Sequence, residues 1–190
     1  MYLCSVEDYK NMIKNVYKQS AEDGMLFGAL LSAVSLAFIY SDKAALLSLL
    51  ALLLLFAMPG VLYVLQRRYF RRTGCIADFS TLWMLGLMIS LFGSLICGIV
   101  TYAWLQFVEP TFIFDQAQAA VDAYKAVPEL RDSDIAVALQ RAIDEGMLPT
   151  AIEFVVNMIL LTTFIGSLTA LVASLIVRAR GGKPGGTAKM

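Results

Sequence analysis

The sequence predicts an all-α polytopic membrane protein: a compact four-helix transmembrane bundle, N-in and C-in, with a helical extracytoplasmic loop between spans three and four. Three observations carry that reading. The 190-residue chain is 59% hydrophobic and 16% charged, with mean hydropathy +0.71, whereas soluble chains average roughly 45–50% apolar and about 25% charged. Its apolar residues gather in four blocks, each of a length suited to crossing a hydrocarbon core of roughly 30 Å. Between the second and third blocks lies QRRYFRRTG, residues 66–74. It reads as a short loop, and its Arg67, Arg68, Arg71 and Arg72 hold it on the cytoplasmic side.

Residues 1–23 read as a cytoplasmic amphipathic leader helix. Val6, Tyr9, Ile13, Val16 and Tyr17 recur at helical spacing, while Lys10, Lys14 and Lys18 form a basic stripe suited to anionic headgroups or to the base of the bundle. Ser20 and Asp23 have the spacing of a capping box, which suits the start of a new helix. Span one, residues 24–40, follows without a cleavage signal and reads as an uncleaved anchor. Residues 41–43 make the turn into span two, residues 44–65, where Pro59-Gly60 predicts a kink. Asp78 suits the start of span three, residues 79–108, whose Tyr102 and Trp104 approach the far interface.

Residues 109–149 form an acidic, basic-poor loop with two short helices. One covers about 114–127 and stops at Pro128; the other covers about 133–145, opens at a Ser/Asp start and stops at Gly146. Span four, residues 150–177, leads into a Gly/Pro/Lys-rich tail, residues 178–190, which reads as disordered. On this topology eleven of the 15 basic residues fall inside and four outside.

Small residues recur every fourth position in three spans. They are Gly24, Gly28 and Ser32; then Gly86, Ser90, Ser94 and Gly98; then Thr162, Gly166, Ala170 and Ser174. Such stripes let helix backbones approach closely, either within the bundle or against a second copy or another membrane protein. Span two has no such stripe, so it reads as the most lipid-facing helix.

Chemistry is sparse. The chain has no histidine, its three cysteines (Cys4, Cys75, Cys97) give no disulfide framework, and no nucleotide-binding, zinc or nucleophile motif occurs. The expectation is a non-enzymatic protein with no cofactor, no metal and no nucleic-acid partner. Two polar groups stand out. Glu153 and Asn157, four apart in span four, suggest a polar pocket for an ion, a proton or a lipid headgroup, or else a boundary glutamate reaching the interface. The four arginines suggest contact with a partner or a phosphate, or plain topogenic charge.

The layout resembles an uncharacterised four-span bacterial membrane family, domain of unknown function 4199. The carriers are GMLFGALL, the basic segment running into TGCIADFSTLWMLGLMIS, the exit TYAWLQFVEP, and the acidic loop with its EGM before span four. The resemblance implies an inner-membrane protein of Gram-negative bacteria. Family genes commonly lie beside one for a polyprenyl-phosphate-type glycosyltransferase, which implies a membrane anchor or partner subunit for such an enzyme. The alternative expectations are a small transporter or lipid-binding protein built on Glu153 and Asn157, and a homo-oligomeric channel built on the small-residue stripes.

Overall fold

Lipid offers no partners to backbone N–H and C=O groups, so a chain this apolar satisfies them within helices. The computed structural model describes residues 2–40, 45–73, 77–127 and 133–181, and no strand occurs among them. Six helices follow in order: α1 (Tyr2–Ile39), α2 (Ala45–Arg72), α3 (Phe79–Phe107), α4 (Phe112–Ala126), α5 (Asp134–Asp144) and α6 (Ala151–Gly181). Four stretches are long and apolar enough to cross a membrane: Val16–Ile39, Leu46–Arg72, Phe79–Phe107 and Ala151–Arg180. The turn at 41–43, the stop at Pro128, Cys75, the tail beyond Gly181 and the side chains before Val16 lie outside the described residues.

Two expectations about helix ends are corrected. The leader and span one are a single helix of 38 residues, ~57 Å at 1.5 Å per residue. Ser20 does not cap a new helix, because its hydroxyl donates to Val16 O one turn back at 2.7 Å. Asp23 likewise accepts from Gln19 Nε2 at 2.8 Å, so both polar side chains bond within the continuing helix.

The second correction concerns the arginines. The segment read as a loop is the last two turns of α2, which runs through Gln66 to Arg72. Nothing from Gln66 to Arg72 breaks a helix, and Arg71 and Arg72 in the last turn favourably meet the negative end of its dipole. Pro59 sits inside this same helix. In a like manner α6 continues past the expected end of span four, carrying Arg178 and Arg180 in its last turn.

The chain divides into two units, Met1–Gly98 with Ile159–Met190, and Ile99–Met158. In the first, the glycine and serine stripes face inward. A Cβ added at Gly28 would lie 2.9 Å from Ile96 Cβ and 3.0 Å from Gly93 O, so α1 rests against the backbone of α3. On another flank of α3, a Cβ at Gly86 would lie 2.6 Å from Ala170 Cβ, and one at Gly166 would lie 2.6 Å from Ser90 Cβ. The hydroxyls of Ser94 and Thr163 bridge α3 and α6 at 2.9 Å. Half of the apolar window of α3 is buried against 17% for α2 and for α6, so α3 is the most buried span and α2 and α6 are the least buried.

One polar side chain ties three of these helices together. Gln66, fully buried on α2, donates from Nε2 to Leu82 O of α3 and to Ala170 O of α6, each at 3.2 Å. Its Oε1 accepts from Ser174 Oγ of α6 at 3.4 Å. The carboxamide occupies the space that a side chain at Gly86 would fill.

In the second unit, Trp104 meets Phe112 edge-on at a centroid distance of 5.5 Å, closing the corner between α3 and α4. Helix α4 packs on α5, with Lys125 Nζ donating to Gln140 Oε1 at 2.9 Å. Ser133 caps α5 by accepting from Ala136 N. Gly146, at φ 65°, ends it: Gly146 N–H donates to Ile143 O and Met147 N–H to Ala142 O, the paired bonds of a Schellman turn.

Gln66→Ala removes the three-helix tie and is expected to cost about 1–3 kcal/mol in detergent unfolding. Tyr69, one turn on along the same buried face, has a hydroxyl with no hydrogen-bond partner among the described residues. Tyr69→Phe is therefore expected to leave stability within about 0.5 kcal/mol or raise it, since an unsatisfied group is lost. Equal destabilisation by the two changes would contradict this assignment.

Candidate functional site

The end of α2 is two-faced, and its residue order makes it so. Leu62, Leu65, Gln66, Tyr69 and Phe70 recur at the three- and four-residue steps of one helix face, and all are buried. Arg67, Arg68, Arg71 and Arg72 recur at one- and four-residue steps on the other, and all are exposed. Burial of the first face fixes the second as a ridge of guanidinium groups.

Two hydrogen bonds join this end of α2 to its neighbours. Arg72 Nη1 donates to Gln19 Oε1 of α1 at 3.0 Å, and Arg180 Nη1 of α6 donates to Tyr63 OH at 3.5 Å. These bonds bring the cationic ends of α2 and α6 to one end of the first unit, with Lys18 of α1 exposed beside Gln19. No carboxylate among the described residues pairs with Arg67, Arg68, Arg71 or Arg178. Asp78, exposed just before α3, contributes its carbonyl to Leu82 N–H at 3.1 Å. The arrangement can bind anions or an acidic surface.

Glu153 and Asn157 are both exposed, in the first turns of α6. Glu153 Oε2 accepts from Thr150 N at 2.8 Å and from Thr150 Oγ1 at 2.9 Å, and Thr150 Oγ1 accepts from Glu153 N at 3.5 Å. That is a capping box, T-x-x-E, in which the carboxylate satisfies backbone donors at a helix start and also meets the positive end of the helix dipole. Glu153 thus has a structural partner that accounts for its place near the end of an apolar helix.

An open cleft of ≈ 380 Å³ lies between α4 and α5, lined by Lys125, Gln140, Arg141, Asp144 and Glu145 among others. Its charges are of both signs, and Gln140 occupies both Lys125 and Asp144 through hydrogen bonds of 2.9 and 3.0 Å. No group of three or more potential metal ligands occurs among the described residues.

Three contributors escaped the sequence reading. Gln66 reads as the first residue of a loop, although it lies four residues after Leu62 and three and four before Tyr69 and Phe70, on one helix face. Thr150 completes a capping box that the TAIE string displays directly ahead of an apolar run. Thr163, rather than the neighbouring Thr162 of the stripe, makes the hydroxyl bridge to α3.

Glu153→Ala is expected to raise amide hydrogen exchange at residues 150–154 by roughly five- to tenfold, as loss of a cap worth about 1 kcal/mol implies. Glu153→Gln keeps the box and is expected to change it little, as is Asn157→Ala. Comparable protection in Glu153→Ala and the wild type would remove the capping role.

The family model described as "Protein of unknown function (DUF4199)" matches residues 22–179. No curated protein and no solved structure matches the chain.

Proposed function

We propose, from the premise that the chain belongs to the DUF4199 family of unknown function, that it is a non-enzymatic inner-membrane anchor or partner subunit. Its N- and C-terminal ends lie on the cytoplasmic side, and its cationic helix end faces a cytoplasmic partner. A membrane-associated glycosyltransferase of the polyprenyl-phosphate type is the specific partner proposed, on the family resemblance given above.

The observation that carries the reading is the exposed arginine ridge of α2. Its four guanidinium groups project from a helix face whose opposite side is locked into the bundle by Gln66. A ridge so held is pre-organised for a partner surface, with little side-chain-bearing backbone left to order on binding. The same charge, with Arg178 and Arg180 at the end of α6, supports cytoplasmic placement of that end.

Replacing Arg67, Arg68, Arg71 and Arg72 together by Gln is expected to strip a co-purifying partner from the protein in mild detergent, while helical content stays unchanged. Mass spectrometry of the bound proteins reads the outcome. Undiminished partner retention, with the topology verified, would overturn the assignment of the ridge as the docking surface.

A further inference from the structure

The exposed cations are not equivalent, and the flank of α2 that meets α6 carries a distinct arrangement. Tyr63 OH accepts from Arg180 Nη1 at 3.5 Å. Arg67 lies four residues beyond Tyr63, and residues four apart occupy one helix face. Arg67 is therefore the next side chain along the face that Arg180 reaches, and both are exposed. The Arg180 guanidinium lies at that hydroxyl, the Arg67 side chain leaves the same face one turn on, and neither pairs with a carboxylate among the described residues. Like charges on one face repel, and an anion held between them relieves that repulsion. The planar fork of arginine matches phosphate oxygens, and a phenol can donate a further bond.

Toward the bilayer the same two helix flanks become hydrocarbon. Three residues before Tyr63, Gly60 has no atom within 4 Å of the position its Cβ would take, which leaves an open notch. Phe56, one turn farther, is 76% exposed. On α6, Ile176 and Val172 precede Arg180 by four and eight residues and are exposed. These residues belong to two of the stretches long enough to span a membrane. Cations at the rim and a hydrocarbon notch below them complement a molecule with a phosphate joined to an acyl chain. An acidic protein surface or a free phosphate leaves the lower half unused.

We propose that Tyr63, Arg67 and Arg180 bind the phosphate of an anionic phospholipid whose acyl chain lies along the Gly60 notch of α2. The inference goes beyond the partner-subunit reading and does not rest on it.

Native mass spectrometry of the purified full chain, incubated with phosphatidylglycerol or phosphatidylcholine, tests it without any partner present. The wild type is expected to retain one phosphatidylglycerol in preference to phosphatidylcholine. Arg67→Gln with Arg180→Gln is expected to weaken that retention at least about fivefold more than Arg68→Gln with Arg178→Gln. The second pair removes the same charge from other helix faces. Gly60→Leu fills the notch without altering charge and is expected to weaken retention as well, and with Tyr63→Phe it carries the test if the double arginine variant does not fold. Equal losses in the two arginine pairs would overturn the proposal, because bulk charge would then suffice. So would equal retention of the two lipids, or competition by inorganic phosphate as effective as that by the lipid.

Discussion

In a bilayer, apolar side chains gain nothing by leaving lipid for one another, so a bundle holds together through close backbone approach and through polar groups that find partners inside it. The Gln66 carboxamide meets both conditions at once. It reaches carbonyl oxygens of α3 and α6 from α2, and it fits only because Gly86 has no side chain to occupy the same space. Much else follows from its position. With Gln66 turned inward, the helix period turns Arg67, Arg68, Arg71 and Arg72 outward. The charged ridge is thus a consequence of the buried tie.

The same logic assigns roles to the helices of the first unit. Helix α3 presents small residues on two flanks, one meeting α1 at Gly28 and Gly93, the other meeting α6 at Ala170 and Gly166. Its centre is consequently buried, and α2 and α6 are left with broad apolar faces for lipid. Ser90, Ser94 and Ser174 deepen the close contacts without leaving stray hydroxyls, since each donates to or shares a bond with a carbonyl of its own helix. The polar atoms at these seams thereby serve packing.

How far this was legible in the sequence depended on the length of the signal. The four apolar blocks and the two loop helices stood out, because hydropathy over some twenty residues and a Ser start or Gly stop are strong, local cues. Gly146 is the clearest case, where one left-handed residue ends α5. The ends of the long helices are less legible, because a polar stretch beside an apolar block resembles a loop. Arginine and glutamine are good helix formers, so a polar pair of turns can continue a span instead of closing it. Ser20 and Asp23 had the right spacing for a cap, but in mid-helix the same hydroxyl and carboxylate bond backward. At Thr150 and Glu153 that spacing did mark a true helix start, and the difference was set by the preceding Pro149 and Gly146, which no helix runs through. The spacing of Glu153 to Asn157 draws attention four residues on, whereas its hydrogen-bond partner Thr150 lies three residues back. Gln66 was not legible as a tie, since its partners are backbone carbonyls 16 and 104 residues away.

The central claim is that α2 continues as a two-faced helix through its arginines, with Gln66 inside. The most direct measurement replaces residues 66–72 one at a time by Cys, in a chain with Cys4, Cys75 and Cys97 changed to Ser, and follows labelling by a membrane-impermeant maleimide. The account predicts fast labelling at positions 67, 68, 71 and 72 and protection at 66, 69 and 70. Uniform labelling across all seven positions would show an open loop there, and would contradict both the buried tie and the ridge that depends on it.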